Sequence, residues 1–247
     1  MARLSVNLNK VALLRNSRRT GVPDVLHFGR IALDAGAAGL TVHPRPDERH
    51  IRGSDVPALA ALMHKHRPAI ELNIEGYPDP RMQAILEAVT PEQCTFVPDA
   101  PDAFTSEEGW HLDAVQMALA RPAVAAAKAL GCRVVLFIDP DAEVVARVRD
   151  AGADGIEIYT GSYADAFRNG HGADALLERI GAAARRAQEL GLVVNAGHDL
   201  NLRNIPPLMQ AVPFLAEASI GHELTADALE IGFAAAVRAY AAALRAA

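Results

Sequence analysis

Apolar residues along the chain recur in two alternating rhythms. Short runs with a period of two, such as Leu4, Val6 and Leu8 set against Ser5, Asn7 and Asn9, read as strands, because successive side chains of an extended backbone point to opposite faces. Longer stretches with apolar residues three and four positions apart read as helices. The strand-like runs cover 4–9, 39–43, 69–75, 94–97, 133–139, 155–159, 192–195 and 214–219. Helical patterns lie between them at about 24–34, 56–66 and 81–88, in an Ala-rich stretch ending at Leu130, and then at about 143–150, 173–190, 205–210 and 226–244. Four of the helices run into Ala35-Gly36, Leu130-Gly131, Ala151-Gly152 and Leu190-Gly191. Glycine just past a last turn takes the left-handed conformation at little cost, so each pair reads as a stop before the next strand. Eight strand–helix units with short returns predict a parallel sheet, and eight strands close a barrel. The pattern therefore predicts an α/β chain folded as one (β/α)8 TIM barrel over residues 1–247, with a doubly wound open sheet as the alternative.

Strand parity adds chemistry to this outline. The third run sets Ile70, Leu72 and Ile74 opposite Glu71, Asn73 and Glu75; the sixth sets Ile156 and Ile158 against Glu157; the eighth puts Glu217 and Ser219 on one side. If the apolar faces meet the helices, Asn7, His43, Asn73, Glu75, Glu157, Asn195 and Glu217 line the interior. Barrel interiors are usually filled with branched apolar side chains, and an unpaired buried carboxylate is costly. Such a lining suggests a site, against the plainer reading of a hydrogen-bonded polar plug.

Composition narrows the partners. With 51% hydrophobic and 22% charged residues, the chain of 247 describes a globular protein with a sizeable core. A net charge of -6 argues against nucleic acid and gives no reason to expect a membrane partner. Cys94 and Cys132 have neither metal-ligand nor redox spacing and read as inert thiols. The opening MARLSVNLNK lacks the apolar run of a signal peptide, and no segment approaches about 18 consecutive apolar residues, so a cytoplasmic protein is expected.

Active sites of such barrels lie at the C-terminal strand ends. Those ends hold Asn7 and Asn9, His43 and Arg45, Asn73 and Glu75, Asn195, Gly197 and His198, and Gly221 and His222. The densest stretch is GLTVHPRPDERH, residues 39–50. There Pro44 and Pro46 end the strand after His43, and Arg45, Arg49, His50 and Arg52 crowd the loop. A proton-transfer imidazole beside guanidinium groups that fork onto phosphate suits a phosphorylated small substrate; a core histidine followed by a solvated basic loop is the plainer reading. Enclosure would raise Glu75 towards the working range of a general base, with His198 of NAGHDLN opposite it as acid or base. Gly221-His222 opens the last helix, where backbone N–H groups commonly bind phosphate. Lys10 is the lysine expected near the site, whereas His27, His111 and His171 read as surface residues, and His64 and His66 as a solvated helix end. No dinucleotide fingerprint, P-loop or metal-ligand helix is present. The longest loop carries Thr105-Ser106 before Glu107-Glu108, and a lid is expected between Pro98 and Trp110.

The segments VNLNKVALLRNSR, GLTVHPRPDERHI, LNIEG, VPDAPDAFTSEEGW, FIDPD, IEIYTGSYA, VNAGHDL and SIGHEL run in order and almost end to end. Together they resemble the pyridoxine 5'-phosphate synthase family of deoxyxylulose-phosphate-dependent vitamin B6 biosynthesis. The resemblance implies a barrel with a few extra short helices and a homo-octamer built from dimers. It also implies condensation of 3-amino-2-oxopropyl phosphate with 1-deoxy-D-xylulose 5-phosphate to give pyridoxine 5'-phosphate, phosphate and water, with no metal and no organic cofactor. By motif, His43 and Glu75 match proton acceptors and His198 a proton donor. Asn7, Arg18, Gly221 and His222 match groups on the aminoketone phosphate, and Arg45, His50 and Thr105 those on the deoxyxylulose phosphate. Two positions depart from the common pattern: Asn9-Lys10 stands where many members have Asp-His, and Asp199 stands where many have Gly, both near expected substrate contacts. Two other functions fit parts of the pattern. A phosphosugar isomerase or epimerase would need a single phosphate site, and a non-catalytic barrel sensing a phosphometabolite would have little use for Glu75 facing two histidines.

Overall fold

The computed structural model describes residues 1–99 and 108–246. Eight parallel strands close a barrel in sequence order. They are β1 (Arg3–Asn7), β2 (Gly39–Val42), β3 (Glu71–Gly76), β4 (Gln93–Phe96), β5 (Arg133–Ile138), β6 (Gly155–Tyr159), β7 (Val193–Gly197) and β8 (Glu217–Ile220). The helices are α1 (Asn9–Asn16), α2 (Val25–Asp34), α3 (Asp55–Met63), α4 (Pro80–Val89), α5 (Ala114–Ala129), α6 (Ala142–Asp150), α7 (Gly161–Asn169), α8 (Ala173–Glu189), α9 (Ile205–Ala211), α10 (His222–Ile231) and α11 (Phe233–Ala243). The closed order excludes the open doubly wound sheet. Gly36, Gly131, Gly152 and Gly191 all take the left-handed backbone foreseen for them, with φ between 72° and 96°.

One face of each strand supplies the main core. Val6, Leu40, Val42, Leu72, Ile74, Cys94, Val134, Ile156 and Ile158 are fully buried among helix residues such as Leu59, Leu86, Val145 and Ala183. The other face points inward and is polar, as parity foretold. Its register sets Arg3 beside Glu217, Thr41 beside Asn73, Glu75 beside Thr95, and Glu157 between Phe137 and Asn195. At the N-terminal end, Arg3 Nη1 donates to Glu71 Oε1 at 2.9 Å and Arg133 forks onto both oxygens of the same carboxylate. Gln93 carries the network on: it accepts from Arg133 at 2.7 Å and donates to Glu217 at 3.0 Å. This network of ion pairs and amide bonds closes the lower barrel as a floor, with Arg133 Nε and Asn195 Oδ1 left without a hydrogen-bond partner among the described residues.

Three elements differ from the pattern. β1 stops at Asn7, because the Asn7 side-chain oxygen accepts the Asn9 N–H at 3.0 Å and turns the chain into α1. Asn9 therefore does not share Asn7's strand parity. α7, with its Gly161 start, goes unmarked by apolar periodicity in GSYADAFRN. The closing helix is two helices, α10 and α11, separated at Gly232 with φ 83°. The other boundaries move by a few residues, as at β7 and β8, which begin and end later than their apolar runs. Both cysteines are buried, and burial pushes the thiols up, that of Cys132 to about 11. His27, His64, His66, His111 and His171 are exposed. Among the described residues, no helix is long and apolar enough to cross a membrane.

Candidate active site

The C-terminal mouth of the barrel holds a cavity of about 380 Å³. The β1–α1 junction contributes Asn7, Asn9 and Lys10, and the loop after β2 contributes His43, Arg45, Arg49 and His50. Glu75, Thr95, Phe137 and Glu157 come from the next strands, and His198, Asp199, Ser219, Gly221 and His222 complete the ring. Asn73, Asn195 and Glu217 hydrogen-bond within the barrel interior instead, but most of the other residues singled out in the sequence line one space. Arg18 does not: it is exposed in the turn after α1, outside the cavity lining. Thr105 lies outside the described residues, as does most of the stretch expected to form a lid.

Glu75 stands at the end of β3, part-buried between neutral partners. Asn7 Nδ2 donates to one carboxylate oxygen at 3.3 Å and Ser219 Oγ to the other at 3.5 Å. These are long bonds from uncharged groups. Enclosure therefore wins and pushes its pKa up to about 7, with the fields of His198 and Arg45 opposing. Asn7 packs closely against the end of neighbouring β8 because position 221 is glycine; a Cβ there would press on the Asn7 side chain at 3.1 Å. Gly221 also precedes the first turn of α10, whose N-terminal residue His222 faces the cavity.

The basic loop after β2 is held in place from α1. Arg15 pairs with Asp55 at 2.7 Å and donates to the His50 carbonyl at 2.9 Å. Asn16 Nδ2 lies within 3.0 Å of the carbonyls of Glu48, Arg49 and His50. Sequence reasoning missed both residues because it missed α1; the RNS run after an apolar stretch was the available signal. Asn9 ties the same region together by accepting the His43 N–H at 2.9 Å. His43 is buried, and burial holds its pKa well below the usual imidazole value, reinforced by Arg45, His50, Arg49 and Arg81. His50 falls to about 4 by burial, with Arg45, Lys10 and Arg49 adding to the fall. Its Nδ1 accepts the Ile51 N–H at 2.9 Å. Both imidazoles are thus neutral near pH 7, and the positive charge of this wall resides on Lys10, Arg45 and Arg49. Arg45 is buried and bonded to Asp99 at 3.1 Å, which fixes its guanidinium at the cavity edge.

Across the cavity, His198 and Asp199 follow β7 with positive φ values of 87° and 57°. Thr160 Oγ1 sits 2.7 Å from the Gly197 carbonyl and 2.6 Å from that of His198, clamping the bend. His198 Nδ1 lies 3.0 Å from Asp199 Oδ2, and Tyr159 meets the imidazole edge-on at 5.1 Å between ring centroids. Val97, Phe137 and Tyr159 form a small apolar cluster, of which Val97 and Phe137 line the cavity.

Glu157 was placed in the lining by parity but not among the candidates, because it stands two positions short of the end of β6. In the folded barrel it reaches the cavity and approaches Thr95 Oγ1 at 3.4 Å. Gly197 makes room for it, since a Cβ at that position would overlap the Glu157 carboxylate. Burial, then the neighbouring Glu75 and Glu217, drive its pKa well above the usual carboxylate range. Among the described residues, no group of three or more His, Cys, Asp or Glu side chains is placed to hold a metal ion.

The mouth therefore combines a carboxyl raised to about 7, a second buried carboxyl raised well above the usual range, two neutral imidazoles and two walls, one basic and one formed by the N-terminal turn of α10. Comparison with known proteins gives this arrangement a setting. Residues 4–246 match the family model described as pyridoxal phosphate biosynthesis protein PdxJ. The chain is 52% identical to the pyridoxine 5'-phosphate synthase of Allorhizobium ampelinum, over 97% of this chain and 96% of the relative. It is 50% identical to the enzyme of the same name from Brucella suis, over 98% of each. Among solved structures it is similar in fold to 3-hexulose-6-phosphate synthase, with a TM-score of 0.65 at 17% identity over 98% of this chain and 99% of that one. Tryptophan synthase from M. tuberculosis gives the same TM-score at 15% identity, over 99% of this chain and 93% of that one. Likenesses at that identity speak to the barrel alone.

Proposed function

The chain belongs to the pyridoxal phosphate biosynthesis family PdxJ and is an enzyme of pyridoxine 5'-phosphate synthesis, and from that premise we propose that its barrel mouth joins 3-amino-2-oxopropyl phosphate to 1-deoxy-D-xylulose 5-phosphate. The observation that carries this reading is Glu75, brought to about 7 between a neutral His43 wall and His198. The condensation needs that combination. The amine adds to the ketone, the adduct loses water to give an imine, one phosphate leaves, and an aldol-type attack closes the ring with loss of further water. Each step moves a proton on or off carbon, nitrogen or oxygen, and a group with a pKa near the working pH serves both directions.

In this scheme Glu75 and His43 take protons from carbon and nitrogen, and His198 returns them to departing oxygen. Glu157, whose raised pKa favours the acid form, serves as a hydrogen-bond donor to oxygen as negative charge develops there. Asn7, Gly221, His222 and the N-terminal turn of α10 hold the aminoketone phosphate. Arg45, His50 and Lys10 hold the deoxyxylulose phosphate, Lys10 through its charge rather than through an imine. Asn9 keeps the His43 strand end in register with both grips. Arg18 and Thr105 enter the two grips through family resemblance alone, and Asp199 closes the rim beside His198. The same resemblance supports a cytoplasmic homo-octamer built from dimers and chemistry that proceeds without a metal or organic cofactor. The net negative charge of -6 supports small phosphorylated substrates, bound at local basic groups, over nucleic acid.

Incubating the pure protein with both substrates tests the proposal. Phosphate release and the absorbance of pyridoxine 5'-phosphate should appear only when both are present. Conversion of deoxyxylulose phosphate alone to another sugar phosphate would put an isomerase in its place.

A further inference from the structure

Asp199 occupies a position whose backbone, at φ 57°, favours glycine, directly after His198, itself at φ 87°. Aspartate is one of the few non-glycine residues that enter this region readily, so the backbone admits a carboxylate here directly beside the imidazole. The bend has its own supports: Thr160 on the Gly197 and His198 carbonyls, and Asn204 Nδ2 on the Asp199 carbonyl at 3.1 Å. None of them involves the Asp199 carboxylate. That carboxylate is directed at His198 instead, with Oδ2 at 3.0 Å from Nδ1. Its pKa is lowered by the hydrogen bond to His198, against burial, with the fields of His198, His222 and Arg168 adding to the fall. An ionised carboxylate can only accept, so Nδ1 is the nitrogen that carries hydrogen.

We infer that Asp199 is a positioning residue for His198: its carboxylate fixes the Nδ1–H tautomer and the ring plane, so that proton exchange with the substrate runs through Nε2. Tyr159, edge-on at 5.1 Å, blocks rotation from the other side. An imidazole free to change tautomer would present the wrong nitrogen for part of each cycle, so the carboxylate acts on turnover and leaves substrate affinity alone. The inference rests on the proposed role of His198, yet the tautomer itself can be read in the resting enzyme.

Asp199→Gly relieves the backbone and deletes the acceptor, whereas Asp199→Asn keeps a carbonyl oxygen able to accept from Nδ1–H. In Asp199→Gly, kcat should fall at least 10-fold, with KM for both substrates within about 2-fold and the melting temperature unchanged or higher. Asp199→Asn should recover part of the lost turnover. Nitrogen–proton NMR of the resting enzyme should show a His198 Nδ1–H signal in wild type and Asp199→Asn that disappears in Asp199→Gly. Full turnover in Asp199→Gly, an unchanged His198 spectrum, or a rise in KM with kcat preserved would each overturn the inference. If wild type does not condense the two substrates but the His198 signal behaves as stated, the proposed function fails and the Asp199–His198 pairing stands.

Discussion

Glu71 and Glu75 lie on the same inward face of β3, one at each end of the barrel, and their environments push them in opposite directions. Glu71 is buried, which alone would raise its pKa, yet Arg133 and Arg3 bond to it and hold it below the usual carboxylate range. Glu75 has an amide at 3.3 Å and a hydroxyl at 3.5 Å, and its pKa climbs to about 7. Burial is common to both; charged partners distinguish them. Glu71, matched by guanidinium groups, is a structural tie; Glu75, with neutral partners, has the pKa that its proposed role as a proton carrier needs. Glu217, bonded by neutral Gln93, is also raised but does not line the cavity. Glu157 extends the lesson, since burial and then the nearby Glu75 raise its pKa well above the usual carboxylate range.

The largest effect is expected at the mouth. Glu75→Gln, nearly isosteric, should lower turnover by roughly 10²-fold or more while changing the melting temperature by only a few degrees. In wild type, turnover should rise as pH rises through about 7, because the base must lose its proton before it can act, and the variant should lack that limb. Near wild-type turnover in the variant would remove Glu75 from the mechanism. At the floor the same logic predicts loss of stability with chemistry intact. Arg133→Met should cost about 2 kcal/mol, less than the usual cost of breaking a buried pair because Arg3 remains on Glu71. A depressed carboxylate contributes stability above its unfolded pKa and loses it as pH falls through the folded value. The gap between variant and wild type in a denaturant series should therefore narrow in acid. A matching loss of kcat in folded Arg133→Met would erase the distinction between the two ends.

Smaller effects should separate the two anion-attracting walls. Arg45→Ala should raise KM for deoxyxylulose phosphate about tenfold more than for the aminoketone, and His222→Ala the reverse, as steady-state titration of each substrate would show. Equal weakening of both substrates in both variants would merge the walls into one.

The barrel was legible because its two rhythms are strong: Leu4, Val6 and Leu8, or Ile70, Leu72 and Ile74, can bury only one face. The inward polar lining followed from the same parity. Local hydrogen bonding hid the rest. Asn7 ends β1 with its own side chain, so Asn9 looked like strand and α1, with Arg15 and Asn16, was lost. Glu157 was passed over because strand-end reading ignores depth, although the narrow barrel lets a residue two positions down reach the cavity. Arg18 entered through motif alone, and the structure leaves it exposed, away from the cavity. The opposite fates of Glu71 and Glu75 could not be read from parity, since their partners Arg3, Arg133, Asn7 and Ser219 come from other strands.

The most direct test is a carbon-detected NMR titration of the side-chain carboxyl groups in protein labelled at glutamate, with Glu71→Gln and Glu75→Gln assigning the two signals. Glu75 should titrate with a midpoint of about 7, and Glu71 below the ordinary glutamate value of 4.5. Two carboxyls titrating together near the ordinary value, or Glu75 ionising before Glu71, would contradict the division of the barrel into a charge-matched floor and a proton-carrying mouth.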